Sequence, residues 1–291
     1  MAAVCLIHRR FWQETKGDRM AWTAATRRDH ARLCGAYSSD MTDGEWSLIA
    51  PLLPTAQPGG RPRRTCLRRV VDAIVYLLQT GCQWRMLPRE FPPRSTVYGY
   101  FRAWRADGSW TRIHDALYRR CRDLEGREES PSAAIIDSQS VKTGPDAREA
   151  VGFDAGKKVK GRKRHLMCDT LGLMMRIKVH SAGVQDRDGA ALVFERIVSR
   201  FPFIERFFAD AGYQGPRVAN VAPRPVQIVK RTDPGFVVQA KRWIIERTFA
   251  WITINRRLAR DFERFATTVQ TMIQIAMIKL MSRRIARYRT F

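Results

Sequence analysis

Ala133-Ala134-Ile135-Ile136-Asp137-Ser138-Gln139-Ser140 is the stretch from which the rest of the chain can be read. Four apolar residues in a row suit a short buried strand, and a carboxylate ends the run. The same figure returns in Arg206-Phe207-Phe208-Ala209-Asp210, before Ala211-Gly212-Tyr213. A buried strand that ends in an acid delivers it to the edge where α/β sheets gather their chemistry. Between the two runs, 164–169 reads as another strand. Met175, Ile177 and Val179 then alternate with Arg176, Lys178 and His180, the period of a half-buried strand. A helix follows Asp188, with Ala190, Val193, Phe194, Ile197, Val198 and Phe201 on one face. A Pro-rich stretch over 215–225, a strand over 226–229, a helix over about 239–258 and a last helix over about 267–287 complete the pattern. The expectation is an α/β fold, a mixed sheet with flanking helices.

Upstream the period changes. Thr42-Asp43-Gly44-Glu45 has the form of a capping box and opens a helix carrying Trp46, Ile49, Leu52 and Leu53, with Pro54 as its stop. A second helix is predicted over 65–80, with Leu67, Val70, Val71, Ile74, Leu77 and Leu78 on one face and Gly81 as its cap. Ser95 is placed to cap a third, bearing Val97, Tyr100, Phe101 and Trp104, and a fourth runs over 111–124. Residues 38–125 therefore read as a small all-helical unit compatible with a helix-turn-helix. In that reading Arg94, Arg102 and Arg105 face DNA; a plain packing module with solvated arginines fits the pattern equally. Residues 126–132 read as a linker, 133–291 as the α/β domain, and 1–37 as a basic, poorly ordered extension.

Charge narrows the function. The 291 residues hold 52 Lys and Arg against 28 Asp and Glu, a net charge of +24. Arginine dominates the excess and suits bidentate contact with phosphates, so nucleic acid is the expected partner. Six scattered cysteines include no Cys-x-x-Cys pair, which argues against a zinc finger and for reduced thiols. No apolar stretch is long enough to span a bilayer, and Cys5-Leu6-Ile7 is too short for a signal-peptide core. A cytoplasmic, nucleoid-associated protein is expected.

In so basic a chain, acids on buried elements call for a cationic partner. Asp137, Asp210 and Glu246, the last in an amphipathic helix, could supply hard oxygen ligands to magnesium or manganese. A cap, a turn or an ion pair is the alternative for each, and Arg242 stands one turn before Glu246. The cations Lys157, Lys158, Lys160, Arg162, Lys163 and Arg164 read as a run between strands that tracks a phosphate backbone, or else as a solvated loop. Arg242 and Arg247, with Arg256 and Arg257, could hold DNA beside Glu246. Asp186 and Asp188 read as helix caps, and His165 and His180 as structural histidines without a nearby His or Cys partner. Gly152 to Lys157 lacks the spacing of a phosphate loop, so no nucleotide cofactor is expected.

Longer words carry more. Asp137-Ser138-Gln139-Ser140-Val141-Lys142-Thr143, Gly156-Lys157-Lys158-Val159-Lys160-Gly161-Arg162-Lys163-Arg164-His165, Gln185-Asp186-Arg187-Asp188-Gly189, Ala209-Asp210-Ala211-Gly212-Tyr213 and Arg242-Trp243-Ile244-Ile245-Glu246-Arg247-Thr248-Phe249-Ala250-Trp251 follow one another in order. So do Leu52-Leu53-Pro54, Gly60-Arg61-Pro62, Thr80-Gly81-Cys82-Gln83-Trp84-Arg85-Met86-Leu87-Pro88 and Ser95-Thr96-Val97-Tyr98. Together they resemble the bacterial transposases of the insertion-sequence-five family over about 38–287. The resemblance implies a ribonuclease-H-like catalytic domain behind a helical DNA-binding domain. It implies an Asp-Asp-Glu triad at Asp137, Asp210 and Glu246, holding two magnesium or manganese ions, with Arg242 on DNA. The implied activity is cleavage at terminal inverted repeats and strand transfer into target double-stranded DNA, by a homodimer or larger assembly. Alternatives are a DNA-binding regulator or decayed copy, and a metal-dependent nuclease. Residues 215–225 look too short and Pro-rich for the helix the family places there, so that helix is expected to be missing.

Overall fold

The structure is a computed structural model, described for residues 35, 37–56, 63–229 and 242–288. The extension over 1–34, Gly60-Arg61-Pro62 and the start expected for the Glu246 helix lie outside these residues.

Helix α1 (Asp43–Ile49) begins at the capping box: the Glu45 amide donates to the Thr42 hydroxyl and the Thr42 amide to the Glu45 carboxylate. Pro51 draws its end into a single tight turn. Helix α2 (Leu67–Thr80) buries Val70, Val71, Ile74, Leu77 and Leu78. It stops at Gly81, whose φ of 73° suits a residue without a Cβ and lets its amide reach the Leu77 carbonyl. Helix α3 (Arg94–Ala106) starts earlier than expected. Pro93 is its cap, so Ser95 falls inside the first turn and caps nothing. Helix α4 (Ser109–Leu124) buries Trp110, Ile113, Leu117, Tyr118 and Cys121.

The sheet contains β1 (Ala133–Lys142), β2 (Gly152–Asp154), β3 (Val159–Asp169), β4 (Met174–Ser181), β5 (Arg206–Ala209) and β6 (Val226–Ile228). Its order is β2-β3-β1-β5-β6, with β4 also paired to β3. The pairs β1–β3, β2–β3 and β3–β4 are antiparallel, while β1–β5 and β5–β6 are parallel. This is the mixed sheet the sequence predicts, with two changes. The strand β3 starts at Val159, so it takes in most of the cationic run that the sequence left between strands. The short β2 was not foreseen.

Helices α5 (Asp186–Phe194) and α6 (Ile197–Arg200) follow β4, and α7 (Pro216–Val221) connects β5 to β6. The helix expected to be missing from 215–225 is therefore present, over six residues. Pro216 opens it instead of breaking it, because the first turn needs no amide from that position. The Glu246 helix divides into α8 (Arg242–Thr253) and α9 (Arg256–Ala259). Asn255 marks the break, its side-chain amide taking up the Trp251 and Ile252 carbonyls at the end of α8.

The last helix, α10 (Ala266–Tyr288), is buried on nearly every side by Val269, Met272, Ile273, Ile275, Ala276, Met277, Ile278, Met281 and Ile285. One side lies on α4, with α1 and α2 beside it, and another on β4. Even its Lys279 is enclosed, donating to the Ser39 carbonyl at 2.7 Å. A polar tie joins the helices to the sheet: Tyr118 and Arg122 of α4 both donate to the buried Asp169 at the end of β3.

Candidate active site

Strand register brings the first two acids together. Ile135 on β1 faces Phe208 on parallel β5, and the 73-residue offset between them also separates Asp137 from Asp210. Both acids therefore reach the same level, Asp210 just past the C-terminal end of β5 and Asp137 in the middle of β1, which runs on to Lys142 and does not end at the acid as the sequence suggests. Asp137 accepts from the Ser138 amide at 2.6 Å. Asp210 caps the tight turn over Ala211–Tyr213, accepting from the Gly212 amide at 2.9 Å. Loss of water around the Asp137 carboxyl pushes its pKa up to about 7; Asp210 adds to the rise, while the Ser138 amide, Lys157 and Arg242 oppose it. A carboxylate so reluctant to ionise beside a second acid has a standing demand for positive charge.

Glu246 comes from α8, which packs on β1 and β3. The Thr248 hydroxyl donates to the Gly172 carbonyl and Arg247 to the Leu171 carbonyl, pinning the helix to the β3–β4 turn. The Glu246 side chain is 62% exposed. Between it and Asp210 stands Arg242, with Nη2 at 3.7 Å from Glu246 Oε1 and 3.9 Å from Asp210 Oδ2. Among the described residues, no three His, Cys, Asp or Glu side chains close into a metal-holding group. Asp137 and Asp210 fit a divalent cation as a close pair of hard oxygen donors. Glu246 stands off from them, on the far side of the guanidinium.

A further acid belongs to this neighbourhood. Asp186 reads from sequence as a cap, but Gln185 holds that position. Asp186 Oδ1 instead accepts from the Ser138 hydroxyl at 2.6 Å and from Lys163 at 2.8 Å. Burial pushes its pKa up, yet these two donors outweigh that and hold it below the ordinary carboxylate value. Asp188 pairs with Arg217 on α7.

Beneath the acids lies a buried polar chain. Tyr213 is 1% exposed, and its hydroxyl lies 2.7 Å from His165 Nε2. His165 Nδ1 meets His180 Nε2 at 3.3 Å, and His180 Nδ1 meets the Ser181 carbonyl at 3.0 Å. A carbonyl only accepts, so the direction is fixed for neutral rings: His180 donates to Ser181, His165 to His180, and Tyr213 to His165. Burial lowers both histidine pKa values, His165 to about 3. The histidines expected to lack a histidine partner are thus each other's partner.

The cationic run divides. Arg162, Lys163 and Arg164 lie on β3 and are buried, not spread along a surface loop. Arg162 donates to Asp261 and to the carbonyls of Glu149, Glu263 and Arg264. Lys163 holds Asp186 and the Val184 carbonyl, and Arg164 the Leu258 carbonyl. In this fold all three are buried and bonded to the protein's own oxygens, Arg164 through Nη1 alone, which corrects their reading as phosphate contacts. Lys157, Lys158 and Lys160 stay exposed, and Lys157 Nζ lies 3.2 Å from the Ser138 carbonyl, at the edge of the site.

The other predicted cations are scattered. Arg94 and Arg102 are exposed on α3, but Arg105 donates to the Thr268 hydroxyl on α10 at 2.6 Å. Arg247 is clamped between Trp243 and Trp251, its guanidinium 4.5 and 4.6 Å from their ring centres. Arg256 is exposed, whereas Arg257 is buried against Glu263 and the Cys82 carbonyl. Sequence reasoning missed Asp186, Ser138 and Tyr213 as neighbours of the acids. The motifs around them were visible, but their contacts each span 48 residues.

Residues 128–281, most of the sheet and the helices around it, match the family model described as "Transposase DDE domain". The chain belongs to the DDE transposase family. This DDE transposase is also matched over 41–114 by a model described as "Putative transposase of IS4/5 family". Its sheet, with the parallel β1–β5 pair at the acids, is ribonuclease-H-like. Two curated relatives come from Burkholderia cepacia. The "Insertion element IS402 uncharacterized 16.2 kDa protein" is 35% identical over 106 residues, 34% of this transposase and 71% of the relative. The "Putative transposase for insertion sequence element IS402" is 30% identical over 146 residues, 45% of this transposase and 66% of the relative. No solved structure matches the transposase significantly.

Proposed function

We propose that this chain cuts the ends of an insertion element and joins them to target DNA by phosphodiester transfer, with Asp137, Asp210 and Glu246 as its acidic triad. The observation that carries the reading is the parallel β1–β5 register, which sets Asp137 level with Asp210 beside a helix bearing Glu246. Asp137 and Asp210 would share a divalent cation, magnesium or manganese. Glu246 would join them on a second ion once Arg242 no longer separates it from Asp210. Such ions supply charge neutralisation at the attacked phosphate and at the leaving oxygen.

The protein's own groups do the rest. Ser138 and Gly212 amides orient the two Asp carboxylates. Lys163 and Ser138 keep Asp186 ionised and turned aside. Exposed Lys157, Lys158 and Lys160 at one edge, Arg94 and Arg102 on α3, and Arg242 and Arg247 on α8 would contact the DNA backbone. One chain carries one such triad, so two element ends cut together call for at least a dimer.

The test is a supercoiled plasmid carrying two element ends, incubated with protein and magnesium. Joined products support transposition, and nicked or linear products without joining support a nuclease of the same fold instead. Wild-type levels of cutting by Asp210→Ala would sink the triad. For the DNA-binding regulator the same assay gives DNA binding without metal-dependent cutting; the Pro-rich 215–225 stretch that favours it holds α7 over Pro216–Val221.

A further inference from the structure

The end of α8, the C-terminal turns of α10 and Gln79 of α2 line a groove of about 560 Å³. Its apolar wall comes from Trp251, Leu280, Ile254 and Tyr288; Ile254 is 81% exposed and Tyr288 47%. Side chains so open add little to the core, and apolar groups gathered into one concavity mark a binding site. Arg284 and Arg287 line the same groove, and no Asp or Glu does. The Arg284 guanidinium lies 5.5 Å from the Trp251 ring centre, which holds its charge on the aromatic side of the groove. The Tyr288 hydroxyl donates to Glu125 at 2.7 Å and so steadies the ring.

These side chains specify the occupant. A second copy of a chain with net charge +24 would bring like charge to the groove. A DNA duplex keeps its bases stacked inside and would leave the apolar wall bare. An unpaired strand offers phosphates for the guanidinium groups and flat base faces for the apolar wall. We propose that this groove binds unpaired nucleotides of a DNA strand, with bases laid on Ile254 and Tyr288 and phosphates on Arg284 and Arg287. Every base has such a face, so the groove holds a strand without reading its sequence. Ile254 follows Glu246 by eight residues and its amide still bonds the Ala250 carbonyl. That is about 12 Å of helix rise, so a strand parted at the acids can reach the groove. Binding there needs neither metal nor the acidic triad, so the inference goes beyond the site proposed above and can be tested apart from it.

The test is fluorescence anisotropy of a labelled oligothymidine of about 12 nucleotides, titrated with the full chain in EDTA, beside a labelled duplex of the same length. Ile254→Ser and Tyr288→Ala remove exposed apolar groups, Tyr288→Phe keeps the ring, and Arg287→Gln removes a charge. The expected result is that Ile254→Ser, Tyr288→Ala and Arg287→Gln each weaken oligothymidine binding about fivefold or more, while Tyr288→Phe binds like wild type. Duplex binding should change little in Ile254→Ser and Tyr288→Ala. The proposal is overturned if wild type does not bind the oligothymidine, or if the three variants bind it as wild type does. Equal weakening of oligothymidine and duplex by Ile254→Ser and Tyr288→Ala would reduce the groove to a general basic surface and overturn it too. So would displacement by polyglutamate as effective as by unlabelled oligothymidine of equal charge, which would assign the groove to an acidic protein segment.

Discussion

The Tyr213 hydroxyl donates to His165 Nε2 at 2.7 Å, closing a chain that runs through His180 to the Ser181 carbonyl and sets the tautomers of both histidines. The bond ties the turn after Asp210 to the centre of β3. Tyr213→Phe keeps the ring but leaves a buried acceptor without its donor. The expected loss is about 1–3 kcal/mol of stability, measured by urea denaturation. An unchanged midpoint would show that the hydroxyl is not part of the fold's support.

The same chain makes stability depend on pH in a stated direction. Burial depresses His165 from 6.5 to about 3 in the folded protein. As pH falls below 6.5 the unfolded chain takes up a proton that the folded one refuses. Stability is thus full above 6.5 and declines toward pH 4, by at most about 1.4 kcal/mol per pH unit for this one group. Denaturation midpoints of wild type and His165→Gln across that range should converge as pH falls.

Asp137 has the opposite linkage. Its folded value is about 7 against an ordinary 3.8, so the folded protein holds a proton that the unfolded chain has released. Stability therefore falls as pH rises from about 4 to 7 and stays low above. Asp137→Asn removes that cost. It should be more stable than wild type at pH 8, on the order of 2 kcal/mol, nearly equal at pH 4, and unable to cut DNA. Thermal melts at the two pH values, beside a cleavage assay, decide it.

Gly189 lies where α5 crosses the histidines. A Cβ there would come within 2.6 Å of His165 Nδ1 and 2.9 Å of His180 Nε2, and the His165 ring is fully buried. Gly189→Ala should cost about 1–3 kcal/mol by overpacking, seen as a lower melting temperature. No loss would mean that the helix and the histidines are not in contact.

The divided cationic run gives a contrast between neighbours. Arg162→Ala leaves Asp261 buried without its partner and should cost about 3–5 kcal/mol of stability. Lys158→Ala and Lys160→Ala should leave melting unchanged and weaken DNA binding, with a shallower dependence on salt. Filter binding at several salt concentrations reads the second effect. Equal melting of all three variants would contradict the burial of Arg162.

What the sequence showed of the fold depended on how local the cause was. The Thr42–Glu45 box, the Gly81 stop and the apolar runs ending in Asp137 and Asp210 each rest on a few adjacent residues, and each was legible. Burial of Arg162 and Arg164 was not. A dense charge run looks solvated, and the oxygens that take these side chains lie 13 residues away at Glu149 and 94 to 102 away around α9 and its exit. The His165–His180 contact depends on the β3–β4 register, which no single strand reveals. Helix α7 was hidden because Pro216 reads as a breaker unless its first-turn position is known. In the candidate site, the strand end before Asp210 could be placed, but not the run of β1 beyond Asp137, whose polar residues pair with β3. The Arg242 bridge could not, since pairing within a helix turn says nothing of Asp210.

Helix α10 has a consequence for synthesis. In chain order α1 to α4 precede the sheet, and they carry the buried Ile74, Leu78, Ile113 and Leu117. The helix that covers α4 is translated last, at Ala266–Tyr288. Until then the sides of α4 and β4 on which α10 lies stay uncovered. A chain cut short by a frameshift after β6 would leave both halves uncovered. Such truncated products should be cleared by proteases instead of persisting.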